Sequence, residues 1–309
     1  MITTDKSHLT VAALSHPGEE REINEDRYSV TYYKRESDQM QVTLAIVADG
    51  IGGHQAGEVA AQLAVDEVSG AMADASGDDP VAELSEAIIG ASRSISESSM
   101  QDEALQGMGS TIATAMVVGH RLYAVSVGDS RTYLVRSGEI QQISIDHTWV
   151  QEAITHGILT PEEARNHPNA HVLHRHLGGD QDPMPDARLR LSSGESDEAS
   201  EANQGLMLTT HDRMLLCSDG LTDLVEDQEI LEALSEHSPE EAANALVDMA
   251  RARGGHDNIT VVIVEVPAKD AARARGCLRS GMLLAAAGIV LLLLVAIGLG
   301  LSFYLGFWP

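Results

Sequence analysis

Residues 45–54 read AIVADGIGGH. An apolar run delivers one carboxylate, Asp49, into a stretch with three glycines and a histidine. Burying a carboxylate at the end of a strand is costly unless something compensates its charge. The glycine that follows leaves the backbone free to approach a ligand closely. The design recurs. YAVSVGDSR at 123–131 ends a strand at Asp129, MLLCSDG at 214–220 ends one at Asp219, and GGHDNITVV at 254–262 sets Asp257 just before a strand. Singly, each of these is an ordinary turn. Together, four carboxylates at one sheet rim would repel one another, and they become tolerable if they share hard divalent cations. Oxygen-only ligands favour Mg²⁺ or Mn²⁺ over zinc.

Strands are expected over 41–48, 111–118, 121–127, 131–136, 213–217 and 259–266. The short turns GH at 119–120 and SGE at 137–139 make several of them antiparallel hairpins. Helical periodicity fits 57–72, 81–99, 228–236 and 239–252. The strands cluster between long helices without strict alternation, which predicts an α+β fold with antiparallel sheet. Thr160-Pro161-Glu162-Glu163 has the form of a helix start, with proline at the first position and acids in the first turn. Ser193 to Asn203, SGESDEASEAN, is polar and acidic and is expected to be a flexible surface loop.

The formal charge is −27, from 47 acids and 20 bases. Such a surface repels nucleic acid, so nucleic-acid binding is excluded as a role. It also repels anionic substrates, so a phosphate-ester substrate would need cations at the site. Two cysteines, Cys217 and Cys277, cannot build a disulfide framework, which fits a reducing compartment. Aromatic residues are only 3% of the chain, so Leu, Ile, Val, Ala and Met must fill the core.

The N-terminal MITTDKSHLTVAAL lacks a basic region and a long apolar stretch, so no signal peptide is expected. The other end differs. No charged residue follows Arg279, and Met282 to Ser302 is almost wholly Leu, Ala, Ile, Val and Gly. As a helix that stretch would be about 31 Å long, matching a hydrocarbon core of roughly 30 Å. Phe303, Tyr304, Phe307 and Trp308 supply an interfacial aromatic belt. Lys269, Arg273, Arg275 and Arg279 precede the span and set its orientation, with the preceding domain in the cytoplasm. The expected organisation is a domain over 1–266, a basic juxtamembrane linker over 267–280, and a transmembrane helix with a short tail over 281–309. Ala296 and Gly300 form a small-xxx-small pair, from which a weak homodimer through the anchor is expected.

Seven segments in order carry a resemblance. They are R-E-I-N-E-D-R at 21–27, V-A-D-G-I-G-G-H at 47–54, G-M-G-S-T at 107–111, V-G-D-S-R at 127–131, D-H-T at 146–148, L-L-C-S-D-G-L-T-D at 215–223 and G-G-H-D-N-I-T at 254–260. The sequence resembles the metal-dependent protein phosphatase family, the type 2C serine/threonine phosphatases, in its bacterial single-domain form, over about residues 8–266. The resemblance implies a four-layer αββα sandwich of two antiparallel sheets flanked by helices, with a dinuclear Mn²⁺ or Mg²⁺ centre at one edge. It implies that Asp49 bridges both metals, that the Gly50 carbonyl binds the second, and that Asp219 and Asp257 bind the first. Asp26 matches a residue that holds metal-bound waters, and Asp129 with Asp219 matches a weaker third metal site. Asn258 lies at the site edge without an assigned role.

In that chemistry the metals activate a water to attack phosphorus, and no nucleophilic cysteine or serine is needed. Arg21 matches the phosphate-binding arginine, since a guanidinium holds two phosphate oxygens at once. The other reading of Arg21 is a surface ion pair with Glu22 or Glu25. His54 matches the proposed general acid that protonates the departing alkoxide. Residues 146–180 resemble the family's flap, and its histidines at 167, 171, 174 and 176 read as flap residues near a phosphosubstrate rather than as a transition-metal site. His211-Asp212 stands where the family commonly has Gly-Asp. The expected function is hydrolysis of phosphoserine and phosphothreonine on proteins, reversing a cognate Ser/Thr kinase at the cytoplasmic face of the inner or plasma membrane. The alternative is a membrane-tethered phosphoprotein-binding adaptor without turnover.

Overall fold

The apolar run before Asp49 is a strand, and its two faces go to two different cores. The computed structural model describes residues 1–52, 56–165 and 167–268. The chain divides into two units, Met1–Val266 and Pro267–Pro309. In chain order the strands are β1 (Ile2–Thr3), β2 (Thr10–His16), β3 (Arg27–Lys34), β4 (Gln41–Ala48), β5 (Gly50–Ile51), β6 (Gly109–Ser110), β7 (Ile112–Val118), β8 (Arg121–Val127), β9 (Arg131–Arg136), β10 (Glu139–Gln142), β11 (Leu206–Met207), β12 (Arg213–Cys217) and β13 (Ile259–Glu265). The helices are α1 (Ala56–Asp74), α2 (Pro80–Gln101), α3 (Trp149–Thr155), α4 (Pro161–Arg165), α5 (Asp197–Ala202), α6 (Asp219–Thr222), α7 (Asp227–Glu236) and α8 (Pro239–Ala252).

Two antiparallel sheets follow from these strands, ordered β1-β3-β4-β7-β8-β11 and β10-β9-β12-β13-β2. Successive side chains of a strand point to opposite faces. In β4, Val42, Leu44, Ile46 and Ala48 pack against α1 and α2, among Ala60, Ala64, Val68, Ile88 and Ile95. Ala45 and Val47 face the second sheet instead, together with Ala113, Ala115 and Ala124, and meet Leu134, Met214, Leu216 and Val264. The far face of the second sheet, with Leu215, Cys217, Val261 and Ile263, is covered by Leu234 of α7 and Leu246 of α8. The layers are therefore helix, sheet, sheet, helix. Both faces of each central strand are buried, so those strands read as unbroken apolar runs. Each buried Leu, Ile or Val contributes about 1.5–3 kcal/mol.

The expected strands over 41–48, 121–127, 131–136 and 213–217 match within a residue, as do 111–118 and 259–266. Two long strands, β2 and β3, and the short β10 were not expected. Sheet position explains their weak signal: β2 and β10 are the two edges of the second sheet, and β3 is covered on its outer side only by the two-residue β1. Their side chains are mostly half-buried, and their sequences mix polar and apolar residues accordingly.

The acidic segment 193–203 differs from the expected flexible loop. Ser196 caps α5 by accepting from Ala199 N, and Ser200 is buried. Glu195 accepts from Leu191 N at 2.9 Å and from Asn203 Nδ2 at 2.9 Å. Ser200 O accepts from Leu189 N at 2.9 Å. Its acids lie at the helix start, where the dipole favours them, so composition alone was misleading. Among the described residues no helix is long and apolar enough to cross a membrane. The expected anchor at 281–309, and all of the linker 267–280 except Pro267 and Ala268, lie outside the described residues.

Candidate metal centre

Asp49 leaves β4 and its backbone is locked at once. Thr111 N donates to Asp49 O at 2.8 Å, Ser110 Oγ donates to the same oxygen at 3.0 Å, and Asp49 N donates to Thr111 Oγ1 at 3.1 Å. These partners come from the G-M-G-S-T segment, which thereby fixes the carboxylate's origin. Gly50 must be glycine because a Cβ there would sit 2.1 Å from Gly57 O and 2.8 Å from Glu25 O. Gly220 is required in the same way, since its Cβ would meet Asn258 O at 2.1 Å. That close approach brings Asp219, at the start of α6, beside Asp257.

Asp26, Asp49, Asp129, Asp219 and Asp257 form one electrostatic cluster. Burial, and after it Asp26, Asp219, Asp129 and Asp257, holds Asp49 well above the usual carboxylate range. Burial, with Asp219 and Asp257 adding to it, pushes Asp26 up to about 7 against the hydrogen bonds of Ser218 and Thr260. Burial and the charge of Asp219 raise Asp129 well above its ordinary value. Asp26, Asp49 and Asp129 have no ion-pair partner among the described residues. Asp26 Oδ2 accepts from Ser218 Oγ at 2.6 Å, while its buried Oδ1 has no hydrogen-bond partner among the described residues. An orphaned buried carboxylate oxygen is costly in protein and suits a water ordered by a cation. The donor set, all oxygen and acidic, fits hard divalent ions.

The loop before β3 is tied to this cluster by Asn258. Its Oδ1 accepts from Glu25 N at 2.7 Å, and its Nδ2 donates to Pro17 O at 2.9 Å and Ile23 O at 3.0 Å. The side chain is buried and nearly saturated, so Asn258 positions the loop that carries Arg21. Arg21 Nη2 donates to Asp257 Oδ2 at 2.6 Å, with both side chains partly exposed. Its ion pair is therefore with the cluster, and not with Glu22 or Glu25.

The D-H-T segment divides three tasks. Asp146 pairs with Arg131 through two guanidinium nitrogens, at 3.0 and 2.7 Å. His147 Nδ1 accepts from Gly128 N at 3.0 Å, which makes Nε2 the donor to Asp186 Oδ2 at 3.1 Å. Thr148 caps α3 by accepting from Gln151 N at 3.2 Å. In the flap, the expected helix start is α4, and Thr160 and Glu163 cap it reciprocally. The four flap histidines do not converge. His167 stacks on Trp149, His174 bonds Glu152 at 2.6 Å, and His176 Nδ1 lies 2.9 Å from Leu177 O. His171 alone reaches the cluster, 3.8 Å from Asp219 and 3.6 Å from Asp223, and Asp219 followed by Asp223 pulls its pKa up to about 9. Its nitrogen and those two carboxylates lie within 4.8 Å of one another.

His171, Asp223 and Ser218 were not singled out from sequence as members of the site. Ser218 and Asp223 sit inside the quoted C-S-D-G-L-T-D stretch, so their spacing about Asp219 was an available signal. His171 had none beyond its place in a histidine-rich segment. The expected general acid His54 lies outside the described residues. Cys217 is buried, and burial raises its thiol far above the range of a nucleophile.

Residues 19–252 match the protein phosphatase 2C family model. The chain belongs to the protein phosphatase 2C family. It is 40% identical over 223 residues to the serine/threonine protein phosphatase PstP of Mycobacterium tuberculosis, a match covering 72% of this chain and 40% of PstP. The chain thus spans about two fifths of that relative's length. It is 32% identical over 267 residues to the protein phosphatase PhpP of Streptococcus pneumoniae, covering 85% of this chain and all of PhpP. The fold is similar to the crystal structure of the PstP catalytic domain in complex with two manganese ions, with a TM-score of 0.68 and 36% identity over 84% of this chain and 99% of that one. Stp1 from Staphylococcus aureus is similar at a TM-score of 0.72 and 29% identity, over 84% of this chain and 96% of that one.

Proposed function

We propose that the chain hydrolyses phosphoserine and phosphothreonine on proteins, using two Mn²⁺ or Mg²⁺ ions held at the edge of the sandwich. The observation that carries this is the convergence of Asp26, Asp49 and Asp129, which have no ion-pair partner among the described residues, on Asp219 and Asp257 in a chain of the 2C family. Asp49, Asp219, Asp257 and the Gly50 carbonyl would hold the pair, and Asp129 with Asp219 a weaker third ion. Bound there, such cations supply a water of lowered pKa and offset the charge of the phosphate, which the −27 surface otherwise repels.

The chain's own groups supply the positioning. Arg21 offers a planar pair of donors to phosphate oxygens and is anchored beside the cluster through Asp257. Asn258 holds the Arg21 loop in register with the metal-binding aspartates. Asp26, kept in place by Ser218, presents its unpartnered oxygen to ordered water. His54 follows Asp49 closely enough in sequence to protonate the departing alkoxide of serine or threonine. The stretch 281–308 anchors the enzyme in the inner or plasma membrane with its catalytic domain cytoplasmic, where it reverses a Ser/Thr kinase. Uninterrupted apolar character and the basic flank support this. The small-xxx-small pair supports weak self-association through the same helix.

The test is phosphate release from a phosphothreonine peptide by the full chain with Mn²⁺, with Mg²⁺ and with EDTA, beside Asp219→Ala. Turnover that needs metal and disappears in the variant is expected. Metal-independent turnover, or none at all from folded protein, would overturn the proposal and leave the adaptor reading.

A further inference from the structure

A second, smaller cleft adjoins the one that holds part of the aspartate cluster. It encloses about 280 Å³ and shares Asp146, Thr148 and Gln151 with the larger cleft that contains Asp129 and Asp219. The walls hold three carboxylates, and each already has a basic partner: Asp146 pairs with Arg131, Glu152 with His174, and Asp197 with Arg188. Arg188 is in turn shared with Asp186. Two further guanidinium groups line the same space. Arg175 donates only to the backbone oxygen of Met184, at 3.1 Å. Arg190 makes no side-chain hydrogen bond among the described residues, and its Nε is buried without a partner.

That is unusual for a chain with such an excess of acid. Most arginines in the described residues are engaged by a carboxylate, as Arg188 is, whereas Arg175 and Arg190 in this cleft are not. Guanidinium groups that no carboxylate engages are free to offer charge-assisted hydrogen bonds to an incoming anion. The acidic segment 193–203 contributes to this arrangement, because Asp197 engages Arg188 and leaves Arg190 free.

We propose that Arg190 and Arg175 form an anion subsite for an acidic side chain, aspartate or glutamate, lying a few residues from the phosphorylated residue of the protein substrate. The occupant is a carboxylate because two of the three guanidinium groups lining the cleft, Arg175 and Arg190, have no carboxylate partner among the described residues. The subsite rests on the phosphatase reading and deepens it. It makes the enzyme selective for phosphosites in acidic sequence, in spite of the protein's overall charge.

The test uses phosphothreonine peptides of neutral sequence in which one glutamate, or glutamine as its control, is walked through about four positions on either side, roughly 13 Å of extended chain. Hydrolysis is followed with the full chain and Mn²⁺, for the native protein, Arg190→Gln and Arg175→Gln, with p-nitrophenyl phosphate as a substrate too small to reach the cleft. In one register glutamate should lower KM relative to glutamine. Arg190→Gln should raise that KM about tenfold, as expected for one partly desolvated charge pair, and Arg175→Gln less. Values of kcat, and turnover of p-nitrophenyl phosphate, should stay within about twofold of native. If no register prefers glutamate, or if Arg190→Gln weakens acidic and neutral peptides alike, the subsite is wrong while the phosphatase reading stands. Fluorescence anisotropy titrations of the same peptides read the subsite without turnover. A glutamate preference there that Arg190→Gln removes, in a protein that hydrolyses nothing, would sink the phosphatase reading and keep the subsite.

Discussion

Two sets of aspartates in this molecule, buried or half-buried, live under opposite rules. Asp186 and Asp212 are saturated. Asp186 accepts from Arg188 N and Nε at 2.9 Å each and from His147 at 3.1 Å, and Asp212 accepts from Arg136 Nη2 at 2.6 Å and Thr209 N at 2.6 Å. Burial works against the charge of Asp186, yet Arg188 and His147 hold its carboxyl well below the usual range. Asp26, Asp49 and Asp129 are similarly placed at strand ends and are pushed the other way. The first set holds loops to the fold. The second set is a strain on the fold that protonation or an added cation relieves, and such local conflict is expected at a functional site.

The largest expected effect separates the two sets most sharply. Asp49→Asn should lower phosphatase activity by about 10²–10³-fold or more, as for the loss of a preorganised electrostatic group. The same variant should melt about 2–4 °C higher than the native protein in EDTA, because a repelling charge is gone. A calorimetric scan in EDTA that shows a lower melting temperature would break the comparison. Asp186→Asn should do the reverse to stability, costing about 3 kcal/mol by leaving Arg188 and His147 less well paired. Urea titration gives that number, and a cost below about 1 kcal/mol would mean the pairing adds little. Its pH dependence has a definite sign. The folded pKa is depressed, so the contribution is present above the ordinary value of 3.8 and is lost as pH falls through the lower folded value. In Asp186→Asn, that part of the acid-induced destabilisation should be missing.

Divalent metal sharpens the comparison further. Mn²⁺ at about a hundred times its Kd should stabilise the native protein by about 2.7 kcal/mol and should leave Asp49→Asn nearly unchanged. Equal stabilisation of both would place the ion elsewhere. The smallest effect lies beside Asp212. His211 occupies the left-handed region at φ 72°, which favours glycine. His211→Gly should raise stability by about 0.5–1 kcal/mol, the relief of the left-handed penalty less the backbone entropy of glycine. A destabilised His211→Gly would show that the imidazole makes up for its own strain.

Much of the fold could be read before the structure because the central strands are buried on both faces. An eight-residue apolar run such as QVTLAIVA at 41–48 has little choice, whereas β3, RYSVTYYK, is half-exposed and gives a mixed pattern. Helix ends were readable where capping chemistry is local, as at Ser238 and Glu241 of α8. The acidic segment 193–203 is at the surface as expected, but its short helix and its ties to Leu189 are contacts that composition does not encode.

At the site, sequence alone determined the residue types: aspartates at strand ends, glycines where backbones must touch, and an oxygen-only donor set that selects hard cations. It did so because those constraints are local, one residue against its own backbone. Which groups meet was decided by tertiary structure. The reach of Asn258 across to Pro17 and Ile23, the pairing of Arg21 with Asp257, the arrival of His171 beside Asp219 and the unpaired Arg190 in its cleft all join segments far apart in the chain. Distance along a sequence carries no information about such meetings, because the packing of two sheets and their loops sets them together.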